Sequence, residues 1–439
     1  MRQRFVMALA GLALGVGSCG GDPGPTPDAM SSCSSLGQVS FVRDTLQNIY
    51  FWYRELPNPD PAGFDSPEAY LEAVRYRPLD SSFSYIASKQ ESDAFFSESQ
   101  FIGIGLATSR TGDTELRVAQ AFPGSPAAEA GLARGDFVLS INGRNVPELL
   151  RTGDIDTVFG PAQAGVVVTL SWRGFADGQT REASLTKRAV TIPTVSATAA
   201  YDLRRGPRVG YVFFRNFVQP SSAALDAAFR SLREAQVEEL VLDLRYNGGG
   251  LLNVAQHLGG LIGGAATQGQ VFMELFHNDK NQIRNSVLRF ELPAEAIGFR
   301  RLVAITTRGS ASASEGVING LRPFMPVTLV GDASFGKPVG QYGFDFCEKT
   351  LFPVAFQTRN ALGQGDYFGG IPADCAAGDD LDHQIGDPDE ASLSQALEFL
   401  RTGRCSAAAE LAAELNASRF GRFGHGQPRD GWRQLVGAY

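Results

Sequence analysis

The stretch LVAITTRGSASASEGVINGLRPFMPVTLV, residues 302–330, carries the fold class. Leu302 to Thr307 is an apolar run that reads as a buried strand. Ser312 followed three residues later by Glu315 is a capping-box pattern, which starts a helix over Ala313 to Phe324. Val327 to Val330 is the next strand. The same alternation runs upstream. Strand Val212 to Phe217 leads to a helix from Ser221 with Leu225, Phe229 and Leu232 on one face. Strand Glu239 to Leu244 leads through Asn247-Gly248-Gly249-Gly250 to a helix over Leu251 to Leu261. Strands near Val271–Phe276 and Val287–Leu292 follow, and a helix around Leu393 to Leu400 closes the region. Repeated strand–helix alternation predicts an α/β core.

The remainder has a different texture. Val39 to Tyr53 and Ser66 to Tyr76 read as helices, the second opened by Asp65-Ser66-Pro67, with Pro57, Pro59 and Pro61 between them. From about Gln100 short strands and glycine turns take over. Gly135 to Gly143 reads as a strand closed by an Asn-Gly turn, and Val166 to Trp172 as another. The run SPAAEAGLARGDFVLSINGRNV, residues 125–146, closely resembles bacterial PDZ domains. The predicted division is therefore 1–18 leader, 19–37 tether, 38–98 helical module, 99–175 PDZ domain, 176–405 core and 406–439 tail.

With 439 residues the chain is long enough for about three cores. Its net charge of −8, from 39 basic and 47 acidic residues without a basic block, argues against a nucleic-acid binder. Arg2 and Arg4 precede an apolar run, Phe5 to Ser18, too short for a bilayer span of about 20 residues, so it reads as a secretory signal peptide. The run ends Val16-Gly17-Ser18-Cys19, which resembles the bacterial lipobox, so Cys19 is the expected lipid-bearing residue. Loss of residues 1–18 removes two arginines and takes the side-chain charge from −8 to −10. The expected location is an exported bacterial lipoprotein, periplasmic or anchored to the outer membrane. Cys33, Cys347, Cys375 and Cys405 remain, an even number that suits disulfides in an oxidising compartment. Cys347 and Cys375 flank one strand-and-loop segment, which favours their pairing and leaves Cys33 with Cys405. No ligand spacing for a metal is present, and no cofactor is implied.

Only five lysines occur: Lys89, Lys187, Lys280, Lys337 and Lys349. One of them stands in a chemical context. Ser312 sits between a buried strand and a helix N-terminus, where unpaired N–H groups stabilise an oxyanion. On that stretch alone, nucleophile and helix cap are both open. Lys337, in Ser334-Phe335-Gly336-Lys337-Pro338-Val339-Gly340-Gln341, lies one helix and one strand further on, a path that returns beside Ser312. A lysine acts as base only when neutral, which needs its pKa pulled below about 10.4 by desolvation or positive neighbours; Phe335, Pro338 and Val339 suit burial. Other patterns are weaker. Ser184-x-x-Lys187 lacks the partner motifs of penicillin-binding enzymes. His257, His277, His383 and His425 show no triad order. Asp379 to Glu390 reads as a solvated acidic loop, since its spacing fits no calcium loop, and the glycine run lacks the Lys-Ser/Thr of a phosphate loop.

GSASASE and SFGKPVGQ together resemble the C-terminal processing peptidases, or tail-specific proteases, and the resemblance extends over the PDZ region and the DLRYNGGG turn. It implies a crotonase/ClpP-like αβ core with an inserted-type PDZ domain and a Ser-Lys dyad. It makes Ser312 the nucleophile, Lys337 the general base and Gln341 the group that orients the lysine. It places the oxyanion hole at the Ala313 N–H and at Gly248 or Gly249. Pro338 departs from the family pattern, which has glycine there. The Ile102-Gly103-Ile104-Gly105 turn is expected to receive the free, apolar C-termini of protein substrates. The rivals are a catalytically silent PDZ scaffold, which would have no need of all three residues, and a small-ligand binder, against which the PDZ region counts.

Overall fold

A computed structural model describes residues 33–203 and 206–406. The leader, Cys19, His425 and all but the first residue of the 406–439 tail lie outside the described residues. Among those described, no helix is long and apolar enough to cross a membrane.

The core is a six-stranded sheet in the order Val195–Asp202, Arg208–Phe214, Glu239–Asp243, Leu302–Thr306, Val327–Gly331, Cys375–Ala376. Its first pair is antiparallel and the rest are parallel. Buried on both faces, its central strands Glu239–Asp243 and Leu302–Thr306 are apolar between their end residues. Helices Ser221–Glu234, Leu252–Gly263 and Ala313–Leu321 pack on one face, through Leu225, Leu258 and Val317 among others. Ala391–Thr402 covers the other. A four-stranded antiparallel sheet, Ser286–Arg289, Val271–His277, Val354–Arg359 and Val339–Gln341, completes the core. The first two run slightly off the predicted bounds.

The N-terminal helices Ser35–Ile49, Pro67–Val74 and Lys89–Glu98 do not form a separate body. Val39, Leu46, Tyr50 and Tyr70 share a cluster with Val339, Leu351 and Val354 of the core. Strand Tyr85–Ser88 pairs antiparallel with Lys349–Phe352, which hairpins with Phe344–Phe346. This region is therefore part of the same wall as the core hairpin. The third helix and that strand carry no motif, and the sequence reading lacks them.

The PDZ region has its own core, with Leu106, Val118, Val138, Leu170 and Trp172 buried in it. Its sheet runs Leu106–Arg110, Leu116–Ala121, Phe137–Ile141, Val167–Arg173, Thr180–Thr186. The last strand forms a hairpin with the fourth and buries Leu185, so the expected boundary at 175 cuts through a hairpin. A two-stranded neck, Gln100–Gly103 against Arg188–Thr191, joins this domain to the rest.

Two further expectations are corrected. The disulfides are Cys33–Cys347 and Cys375–Cys405, with Cα separations of 5.7 and 5.4 Å. Cys347 lies at the hairpin turn facing the N-terminal helices, whereas Cys375 lies in the last strand of the main sheet, beside the end of the closing helix. The segment between them crosses the core rather than closing on itself. The acidic stretch after Asp379 is not a solvated loop but the platform on which the PDZ domain rests. Arg134 reaches into it to bond Asp379 Oδ1 at 2.9 Å and the Asp380 and His383 carbonyls, and Arg117 bonds Asp382 at 2.7 Å. In the Ile102-Gly103-Ile104-Gly105 turn, Ile102 and Gly103 lie in the neck strand and the Ile104 side chain is fully buried in the PDZ core, so a tail would meet this turn through backbone groups.

Candidate active site

The DLRYNGGG turn is held from below by buried charge. Arg245 bonds Asp243 and makes paired bonds to Glu390 at 2.7 and 2.8 Å. Glu390 also caps the helix Ala391–Thr402 by accepting the Leu393 N–H. Each charge is thus matched, which a buried arginine requires. Above this base, Asn247 Nδ2 donates to the Phe214 carbonyl and its Oδ1 accepts the Gly249 N–H at 2.9 Å. The Asn247 carbonyl accepts from Ala311 N–H at 3.1 Å and Ser314 Oγ at 2.8 Å. Gly249, at φ 100°, lies so close that an added Cβ would sit 2.8 Å from Ala311 O, Ala313 N and Ser312 Cβ. Only glycine fits there.

The three serines of GSASASE divide their labour. Ser310 Oγ donates to the Leu244 carbonyl at 2.7 Å, and Ser314 Oγ binds Asn247 as above, so both pin the loop to the glycine turn. Ser312 is left. Its backbone is left-handed, φ 56° and ψ −114°, a strained state for a residue with a Cβ and one that concentrates at functional sites. Ser312 and Glu315 form the predicted capping box, with Glu315 Oε2 accepting the Ser312 N–H at 2.8 Å. Ser312 also lines a cavity.

Glu315 is the residue whose reach the sequence reading missed beyond its capping position. Fully buried, it accepts four donors. Oε2 takes both the Ser312 N–H and the Lys337 N–H at 2.8 Å. Oε1 takes Ser334 Oγ–H at 2.6 Å and the Gly336 N–H at 2.7 Å. One carboxylate oxygen therefore joins the two segments that the sequence separates by 25 positions. Burial pushes the Glu315 carboxyl up, and these donors oppose that.

Lys337 is buried, and its Nζ donates to Gln341 Oε1 at 2.6 Å. Gln341 cannot turn away, because its Nε2 donates to the carbonyls of Phe83 at 2.5 Å and Phe352 at 2.9 Å. Burial lowers the lysine to about 8, against the pull of Asp80 and Glu315 in the other direction. Ser312, Lys337 and Gln341 line one cavity of about 570 Å³ together with Leu252, Met273 and Phe356. Among the described residues no hydrogen bond joins Ser312 Oγ to Lys337 Nζ; such contacts often tighten only when substrate binds. Pro338 donates no N–H, and its carbonyl accepts from Thr358 N–H at 2.9 Å, which seats the lysine loop on the neighbouring strand.

The weaker candidates are elsewhere. Ser184 is on the outer PDZ strand, and Lys187 binds the Gly160 and Pro161 carbonyls. His257 pairs with Asp226, and His383 with Asp380. His277 bonds Tyr342 OH at 2.9 Å, with burial lowering its pKa. Among the described residues no cluster of His, Cys, Asp or Glu could hold a metal.

Comparison with known proteins places the chain beside peptidases. Residues 208–373 match the model of peptidase family S41, 37–85 that of the S41 N-terminal domain and 117–173 that of the PDZ domain. The chain is 32% identical over 263 residues to a chloroplastic C-terminal processing peptidase of Tetradesmus obliquus, covering 56% of this chain and 53% of that one. It is 25% identical over 278 residues to a carboxy-terminal-processing protease of Bartonella bacilliformis, covering 60% of each. The chain thus spans little more than half the length of these relatives. A crystal structure of a Bacteroides fragilis protein assigned to the S41 proteases superposes with a TM-score of 0.69 at 26% identity, over 83% of this chain and 97% of that one. The photosystem II D1 C-terminal processing protease shares the fold, with a TM-score of 0.51 at 22% identity over 86% and 99% of the two chains. Family models, relatives and architecture converge on one family: residues 208–373 match peptidase family S41, preceded by its N-terminal domain and by a PDZ domain.

Proposed function

We propose that the protein is a serine endopeptidase that uses a Ser312–Lys337 dyad to cut exported proteins near their C-termini. The observation that carries this reading is the Glu315 carboxylate oxygen shared by the Ser312 and Lys337 N–H groups, with both side chains facing one cavity. Neutral Lys337 takes the Ser312 proton as Oγ attacks the scissile carbonyl, then returns it to the leaving amine. Water, deprotonated by the same lysine, releases the acyl group. The oxyanion is held by the Ala313 N–H, which opens its helix without an intrahelical acceptor, and by the glycine turn. Gly248 is the better second donor: the Gly249 N–H is occupied by Asn247, whereas none of the described residues accepts the Gly248 N–H. Such a donor is commonly worth ~3 kcal/mol of barrier. The core is assigned to the crotonase/ClpP-like class on the same family grounds.

Tail capture is assigned to the PDZ domain. Strand Leu106–Arg110 is paired on one edge only among the described residues, so an extended tail can add as a further strand. Export and lipidation at Cys19 rest on the leader pattern. They are supported by the engagement of all four other cysteines in disulfides, which suits an oxidising compartment. Palmitate labelling that persists in Cys19→Ala would remove the anchor.

The dyad is tested by Ser312→Ala, Lys337→Ala and their combination. Each single variant should lose peptide cleavage while melting like the parent, and the double variant should be hardly worse, because members of a catalytic unit are not additive. Cleavage retained by Lys337→Ala overturns the dyad.

A further inference from the structure

Lys337 and Gln341 belong to the core, but one of the two carbonyls that hold Gln341, that of Phe83, comes from the N-terminal helical region. Asp80, on the turn after Pro67–Val74, is fully buried and, among the described residues, forms no ion pair. Its oxygens are met by four donors. Oδ1 accepts the N–H groups of Phe83 at 2.8 Å and Ser84 at 2.9 Å. Oδ2 accepts the hydroxyls of Ser84 at 2.6 Å and Tyr50 at 2.9 Å. Ser84 Oγ in turn accepts the Val354 N–H from the core at 2.9 Å. The tightened turn presents the Phe83 carbonyl to Gln341 Nε2, and the Phe83 ring lies 5.8 Å from Lys337 Nζ.

Resting on the dyad reading above, we infer that Asp80 is a positioning residue of the active site. Its carboxylate sets the Phe83 carbonyl that turns Gln341 Oε1 toward Lys337, and its charge stands behind the lysine ammonium. Two consequences follow from one group. Geometrically, losing the carboxylate frees the Phe83 turn, so Gln341 and then Lys337 lose their register. Electrostatically, Asp80 and Glu315 are the anionic groups that favour the protonated lysine, opposing desolvation. A buried carboxylate with a purely local turn role has the first consequence at most for stability, and not the second.

Asp80→Asn separates these cases. The amide keeps an oxygen for the Phe83 and Ser84 N–H groups, and the Tyr50 and Ser84 hydroxyls can rotate to accept from its NH2, so the turn is retained. The charge goes. The readout is the rate at which a fluorophosphonate labels Ser312 in the full chain, measured over about pH 6 to 10. With the negative charge gone, Lys337 gives up its proton more readily, so the acid limb should move to lower pH by roughly half a unit. With the turn retained, the plateau rate should stay close to the parent's. Tyr50→Phe supplies the opposite arm and covers the case in which Asp80→Asn does not fold. It strips one donor from the carboxylate and leaves its charge less compensated, so the limb should move to higher pH. Limbs that stay in place in both variants overturn the inference. Lys337→Ala is measured alongside: labelling at the parent rate there overturns the dyad itself, and with it the role given to Asp80. Parent labelling that depends on Lys337 but is indifferent to Asp80 overturns the inference alone.

Discussion

Lys337 is where burial becomes chemistry. Few lysines are buried, because the ammonium loses its hydration, and here that loss lowers the group to about 8. The sign is simple. Below that value the lysine is protonated and cannot take a proton from Ser312; above it the base form dominates. Cleavage of a peptide should therefore rise with pH, tenfold per unit on the acid side, and level off above about 8. A pH–rate profile of kcat/KM checks this, and a rate flat from about pH 6 to 10 rules out lysine as the base. Gln341 belongs to the same scale. Its amide is locked by the Phe83 and Phe352 carbonyls, so its oxygen, not its nitrogen, meets the lysine.

The elements explain which parts of the site were legible in the sequence. Ser312, Lys337, Gln341 and the glycine turn lie in short motifs whose residue types each answer a local demand. Glycine at 249 lets the backbone pass against Ser312, and glycine at 336, φ 102°, would place a Cβ 2.3 Å from the Phe368 carbonyl. What joins these motifs was not legible, because it depends on packing across the chain. Glu315 looks like a helix cap in sequence and becomes a staple between two loops only when the strand Val327–Gly331 brings Lys337 back. The same blindness misassigned the disulfides and passed over Asp80, since neither nearness in sequence nor a motif reports which segments meet. The staple makes a prediction. Glu315→Ala leaves four buried donors unpaired, at ~1–3 kcal/mol each, and should melt far below the parent. Glu315→Gln keeps one accepting oxygen and turns an NH2 toward one pair of donors, so the protein should fold but hold its loops apart. Thermal melting and fluorophosphonate labelling check both. A Gln variant that labels like the parent means the shared oxygen does not position the dyad.

At the scale of the whole molecule, the question is how a tail held by the PDZ domain reaches Ser312. The neck alone, four residues paired with four, would allow the domain to swing. It is not alone. The Arg134 side chain, 4% exposed, enters the core and binds Tyr246 OH at 2.8 Å, Asp379 and two backbone carbonyls. From the core, Arg215 binds Gln120 Oε1 of the PDZ domain at 2.9 Å. Breaking a buried ion pair by removing one partner costs ~3–5 kcal/mol, enough to hold one orientation. A tail bound on the open edge of Leu106–Arg110 is then presented from a fixed place, which raises its effective concentration at the cavity. Three versions of one substrate protein, with a free apolar tail, an amidated tail and an Asp-Asp tail, should be cut at clearly different rates, the first fastest. Arg134→Gln should shrink that difference while slowing a short, tail-less peptide much less, since the peptide reaches Ser312 without docking. Equal rates for all three tails in the parent remove tail capture from this domain. A preference undiminished in Arg134→Gln means that the clamp plays no part in delivery, and that the neck suffices.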